Sequence, residues 1–174
     1  MINIKVVKKS TSTFSGSARY GIDDKTRVFI NTEYREKLAP EARKTFYVIP
    51  GVDTCLIAIP LNEWDEVLAR LPAMDLDDLD FIRYRRWLLG NAIECPLDAQ
   101  GRIRIAQHLI NYAKLDKEVL VRGAGDWIEL WNPELYEQYE QESTFDPQAA
   151  HARLLSGKRQ RSLRSDAETA LVIE

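Results

Sequence analysis

The chain has 174 residues, 45% hydrophobic and 29% charged, with a formal net charge of −3. That length suits one well-cored domain or two small fused ones, and the balance excludes low-complexity and fibrous classes. The start, Met1-Ile2-Asn3-Ile4-Lys5, lacks the apolar stretch and cleavage site of a secretory signal, and no apolar run is long enough for a bilayer, so a soluble, cytoplasmic protein is expected.

Residues 1–13 read as an N-terminal extension. The first half, 14–72, contains Ile22-Asp23-Asp24-Lys25-Thr26-Arg27-Val28-Phe29-Ile30: an apolar residue, Asp, three turn residues, Arg, and an alternating strand. A short amphipathic stretch follows over Thr32 to Leu38. Two strand signals come next, Phe46–Ile49 and Cys55–Ile59, parted by the turn residues Pro50-Gly51-Val52-Asp53. A helix over Asn62 to Leu71 closes this half, with Trp64, Val67, Leu68 and Leu71 on one apolar stripe.

Residues 73–91 connect the halves through a helix predicted over Met74 to Leu89. Its acidic beginning (Asp75, Asp77, Asp78, Asp80) and basic end (Arg83, Arg85, Arg86) complement the helix dipole. The second half, 92–142, repeats the first. Leu97-Asp98-Ala99-Gln100-Gly101-Arg102-Ile103-Arg104-Ile105 copies the loop and strand, and Gln107 to Ala113 copies the short helix. Strand signals at Val119–Val121 and Trp127–Trp131 flank Gly123-Ala124-Gly125-Asp126. The closing helix begins at Asn132 as N-cap with Pro133 in its first turn. Residues 143–174 form a polar tail expected to be partly disordered. Each unit is too small to bury much alone, so the two are expected to share one core in an α+β protein.

Chemistry-bearing clusters are few. Cys55 and Cys95 sit among apolar neighbours and read as inert buried thiols in a reducing compartment. With only His108 and His151 beside them, no metal site or cofactor is expected. No carboxylate pair, nucleophile–base pair or phosphate-cradling glycine loop marks an active site, so the protein reads as no enzyme, with no small-molecule substrate. Trp64, Trp127, Trp131 and Tyr136 read as core, not as a base-stacking platform.

The feature that repeats is Asp-x-x-x-Arg. An Asp before a tight turn accepts hydrogen bonds from turn N–H groups, and the Arg offers a planar donor fork to that carboxylate, a phosphate or a guanine edge. Either the pair ties off a turn or it presents a guanidinium to an anion. Arg102 and Arg104 share one strand face, as do Arg27 and Phe29. Lys25, Arg19 and Arg104 would reinforce a local basic surface inside an acidic protein.

Taken together, Phe14-x-Gly16, Asp23-x-x-x-Arg27, Tyr34-Arg35-Glu36, Leu56 to Trp64, Arg86-Trp87-Leu88-Leu89-Gly90-Asn91-Ala92-Ile93-Glu94-Cys95, Leu97 through Arg102 and Ile128-Glu129-Leu130-Trp131 resemble the MraZ family. The resemblance runs from Phe14 to about Tyr139. It implies two AbrB-like swapped-hairpin repeats forming one pseudo-symmetric β-barrel with flanking helices. It also implies a nucleoid-associated transcriptional regulator, expected to be a repressor, of a division and cell-wall gene cluster. Such a protein would act as a ring-like homo-oligomer on short repeats in double-stranded promoter DNA. Carried over by position, the DNA-binding residues are Asp23, Lys25, Arg27, Asp98, Gln100, Gly101 and Arg102, with Arg19 and Arg104 nearby. The alternative is an oligomeric scaffold of the same fold that has lost DNA binding. Thr26 and Asn31 stand where the family usually has glycine and proline, and Ala106 occupies the second proline position. A β-branched residue resists positive φ, so the first loop is expected to differ in shape from the second.

Overall fold

The two copies of the pattern fold as strands and helices in the order written, but each lends its first strand to the other. The computed structural model describes residues 13–70 and 78–153. The first copy supplies β1 (Ser17–Gly21), β2 (Arg27–Phe29), α1 (Thr32–Glu36), β3 (Thr45–Pro50), β4 (Leu56–Pro60) and α2 (Leu61–Arg70). After α3 (Leu79–Gly90), the second supplies β5 (Ile93–Pro96), β6 (Arg102–Arg104), α4 (Gln107–Tyr112), β7 (Glu118–Gly123), β8 (Ile128–Trp131) and α5 (Pro133–Glu142).

β1 pairs with β7 and β5 with β3, so each copy's leading strand lies against the other copy's hairpin. β4 and β8 join the two hairpins. The result is a six-stranded antiparallel sheet ordered β1-β7-β8-β4-β3-β5, which reads the same when the copies are exchanged. β2 and β6 form a separate two-stranded ribbon. The expected closed barrel is not what these hydrogen bonds draw: the sheet is open, with β1 and β5 at its edges.

Alternation along β3 and β4 divides the apolar residues between two layers. Phe46, Val48, Leu56 and Ala58 face the main core, where Val28 and Ile103 from the ribbon, Tyr34 from α1 and Leu109 from α4 meet Leu130 and Val121. Residues of both copies fill this one cluster, as their small size required. On the opposite face Ile49 and Ile59 pack with Trp64 of α2 and Leu88 of α3, and Tyr47 stacks on Trp64 at 4.6 Å between centroids. Trp131 and Leu120 make a third cluster with Cys55, against which Tyr136 packs. The aromatic residues therefore serve packing, as their stripes predicted.

Helix starts follow their caps. The Asn132 carboxamide oxygen accepts the N–H of Glu134 at 2.9 Å and of Leu135 at 3.2 Å. Asp78 caps α3 by accepting Phe81 N–H at 2.9 Å. The connecting helix ends at Gly90, within a residue of the expected Leu89, but its last turn holds no basic residue, which leaves Arg83, Arg85 and Arg86 in its interior and not at the expected basic end. There their charges gain little from the dipole, whose effect is confined to the last turn. Asp75 and Asp77 lie outside the described residues.

The chain divides into two units at Gln138 and Tyr139. In the second unit residues 147–153 are helical, with Asp146 accepting from Gln148 N–H at 2.9 Å. Residues 154–174, most of the polar tail, and residues 1–12 lie outside the described set. Among the described residues no helix is long and apolar enough to cross a membrane, and no group of three His, Cys, Asp or Glu is placed to hold a metal ion.

Candidate nucleic-acid interface

Each Asp-x-x-x-Arg loop is a wrapped carboxylate. In the first, Asp23 Oδ1 accepts the backbone N–H of Lys25 at 2.9 Å and of Arg27 at 3.0 Å, and Oδ2 accepts Arg27 Nε at 2.6 Å. In the second, Asp98 Oδ1 accepts from Gln100 at 3.0 Å and Arg102 at 2.9 Å, and Oδ2 accepts Arg102 Nε at 2.9 Å. A backbone bond to the Asp carbonyl closes each turn, from Thr26 N–H and from Gly101 N–H, both at 2.9 Å.

The expected difference in loop shape does not occur. Thr26 adopts φ 58° and Gly101 φ 77°, so both third turn residues occupy the left-handed region. A residue with a Cβ is disfavoured there by roughly 1–2 kcal/mol. Thr26 has a compensation that glycine lacks, because its hydroxyl donates to the Ile105 carbonyl across the ribbon at 2.6 Å. Asn31 also has a local use. Its side chain accepts Tyr34 N–H at 2.7 Å and caps α1, whereas Ala106, its counterpart before α4, makes no side-chain cap.

The ribbon brings the loops together. Ile30 N–H donates to Gly101 O at 2.9 Å and Ile105 N–H to Thr26 O at 3.0 Å. Val28 and Ile103 are fully buried beneath it. Arg27 pairs across the strands with Arg104, and Phe29 with Arg102. The buried pair fixes the other face as the outer one, so alternation sets Arg27, Phe29, Arg102 and Arg104 on that face. Arg27 also lies 3.9 Å from Asp98, and Arg102 lies 3.6 Å from Asp23. The two loops thus merge into a four-residue ionic square, 27–32% exposed and neutral in sum.

The surroundings hold both carboxylates ionised. For Asp98 the N–H of Arg102 is the largest influence; opposed by partial desolvation, and aided by the Arg102 guanidinium and Gln100 N–H, it lowers the pKa below the ordinary carboxylate value. For Asp23 desolvation is the largest single effect and raises the pKa, but the combined hydrogen bonds from Arg27 and Lys25 outweigh it and the net shift is downward. Solvent-screened pairs of this kind add little stability, so their main effect is to fix geometry. Among the described residues the terminal nitrogens of Arg27 donate no hydrogen bond, whereas Arg102 Nη2 reaches Gln100 Oε1 at 3.1 Å.

Of the residues expected at the site, Asp23, Lys25, Arg27, Asp98, Gln100, Gly101, Arg102 and Arg104 all lie on the loops or ribbon. Arg19 lies on β1, and its guanidinium pairs with Glu137 on α5 instead of either loop. Sequence reasoning missed Arg35 as a part of the site. Its Nε donates to Ile30 O at 3.0 Å, Nη2 to Thr32 Oγ1 at 2.7 Å, and its guanidinium lies 5.5 Å from the Phe29 ring centroid. It also seats directly against Gly101, where an added Cβ would come within 2.7 Å of Arg35 Cζ. The one available signal was the repeat itself, since the matching position in the second copy is the apolar Ile110.

An α+β protein of two interleaved repeats, displaying paired Asp–Arg loops on a short β-ribbon, is the class that fold and site define. The model of a family described as "MraZ protein, putative antitoxin-like" matches residues 13–81 and again 88–157. The chain belongs to the MraZ family. It is 37% identical over 126 residues to the transcriptional regulator MraZ of Carboxydothermus hydrogenoformans, covering 72% of this chain and 85% of that one. To the same-named regulator of Methylococcus capsulatus it is 38% identical over 132 residues, covering 74% and 85%. To that of Caldanaerobacter subterraneus it is 34% identical over 138 residues, covering 78% and 94%. These relatives are named as regulators and not as enzymes, in keeping with the absence of a catalytic constellation from the sequence.

Proposed function

We propose that the protein is a sequence-specific DNA-binding transcriptional regulator that represses a division and cell-wall gene cluster, reading short promoter repeats through its two loops as a nucleoid-associated homo-oligomer. The observation that carries this reading is the pair of matching loops locked side by side on the ribbon. A two-stranded ribbon is narrow enough for the major groove, and its outer face offers three guanidiniums, from Arg27, Arg102 and Arg104. The names of the relatives support the same reading. Strand exchange between copies fits an AbrB-like swapped-hairpin arrangement, in which the ribbon would complete a barrel.

An acidic protomer binds DNA through local field, and several protomers on repeated sites gain affinity through effective concentration. The test is binding to duplex carrying the protein's own upstream region across a salt series, beside Arg27→Ala/Arg102→Ala. Salt-sensitive, sequence-selective binding that the double variant loses supports the regulator. The neutrality of the ionic square favours the second reading, a scaffold whose loops are only turn clamps. Equal, feeble binding by both proteins with an unchanged oligomeric state would establish it.

A further inference from the structure

The repeat makes the two loops equivalent in backbone, yet their side chains break the symmetry, and the break is one of charge. Lys25 at the first tip corresponds to Gln100 at the second, and Arg104 on β6 corresponds to Phe29 on β2. Lys25 and Arg104 line one groove of about 660 Å³ that runs from the first loop to the start of α4. Both are exposed, and neither side chain has a hydrogen bond or ion pair among the described residues. The acidic groups on that groove are Asp24 and Glu94.

The opposite flank is arranged differently. Phe29 packs edge-on to Tyr20 at 5.3 Å and under Arg35, whose guanidinium is held by Ile30 O and Thr32 Oγ1. Gln100 gives its carbonyl to Arg102 Nη2, which leaves its amide N–H groups as donors at the loop tip. A carboxamide aligned by an arginine suits a base edge, which demands direction; an unpaired ammonium and guanidinium suit a phosphate, which demands charge.

We propose that the protomer is polar on DNA: Lys25 and Arg104 grip backbone phosphate on one flank of the ribbon, and Gln100 selects a base on the other. The proposal rests on the reading of the protein as a DNA-binding regulator and divides its work between the loops. Phosphate contacts add to the salt slope and act equally on all sequences. A base contact adds discrimination without altering the slope.

The experiment measures Kd against salt for Lys25→Gln/Arg104→Gln, for Gln100→Ala and for the unaltered protein. Each is tested on duplex with the native upstream repeats and on duplex with the repeat bases scrambled. The lysine–arginine variant is expected to lower the slope of log K against log salt by about 2 per bound protomer, at about 0.9 per phosphate contact, and to weaken both duplexes alike. Gln100→Ala is expected to keep the slope and to shrink the native-to-scrambled ratio by about tenfold. Far-UV circular dichroism and thermal midpoints confirm that these exposed substitutions leave the fold in place. An unchanged slope in the first variant, or the same behaviour in both, overturns the division while leaving the regulator reading intact. Failure of the unaltered protein to prefer its own repeats overturns both.

Discussion

Replacing Gly101 by alanine tests the architecture of the second loop, because two separate costs fall on one methyl group. The backbone there is at φ 77°, where a Cβ costs roughly 1–2 kcal/mol. The new Cβ would also lie 2.7 Å from Arg35 Cζ and 2.8 Å from Nε, well inside contact distance. Arg35 is held on both sides of that point by Ile30 O and Thr32 Oγ1, so relief means breaking a hydrogen bond or shifting the loop. Overpacking of this kind adds about 1–3 kcal/mol. The sum is about 2–5 kcal/mol, equivalent to a thermal midpoint lowered by roughly 4–20 °C for a chain of this size. Urea denaturation of Gly101→Ala, Arg35→Ala and the double variant separates the terms. With Arg35 truncated, Gly101→Ala should cost only the backbone part, so the two changes together should be less damaging than their sum by about 1–3 kcal/mol. Additive effects would show that Arg35 does not press on the loop. A loss below about 0.5 kcal/mol for Gly101→Ala alone, an ordinary surface effect, would refute the whole argument.

Thr26→Gly should change stability by less than about 1 kcal/mol, because relief of left-handed strain is offset by loss of the bond to Ile105 O and by the freer unfolded chain. Chemical denaturation reads that balance directly. Asp23 and Asp98 both ionise at lower pH when folded than when unfolded. Their contribution is therefore full above the ordinary carboxylate value and is lost as pH falls through the lowered folded values. Thermal midpoints of Asp23→Asn/Asp98→Asn should accordingly fall less steeply than the parent's on the acid side, and a parallel acid limb would contradict the clamp. Burial pushes both thiols up to about 12, so Cys55 and Cys95 should resist iodoacetamide at pH 8 and react together once denaturant unfolds the chain. Labelling of either cysteine in the native protein would show an opening that the packing does not contain.

Much of this was legible from spacing alone. The repeat placed β2, β3, β4, β6, β7 and β8 to within a residue or two but gave no bounds for β1 and β5, and alternation set Val28 and Ile103 on the face opposite Arg27, Arg102 and Arg104, because a period of two leaves no other choice. Caps were visible at Asn132 because a side-chain acceptor before Pro133 has one obvious use. The pairing of β1 with β7 and of β5 with β3 was not written in local pattern, since it depends on which of two similar edges each strand meets. Nor was the open form of the sheet, with β1 and β5 at its edges. Thr26 misled because intrinsic preference was weighed without the carbonyl of Ile105, which is 79 residues away in sequence and a hydrogen bond away in space. Arg35 escaped for a similar reason: its importance lies in what it touches on the other copy.

The traded strands have a further consequence for how such a chain can change over time. A substitution on β3 is felt by β5, which leads into the second loop, and a substitution on β7 is felt by β1, which leads into the first. The halves are therefore not free to drift as separate modules. Each inherits the accidents of the other, and a new binding preference at one loop has to be reached through sequence that also supports its twin.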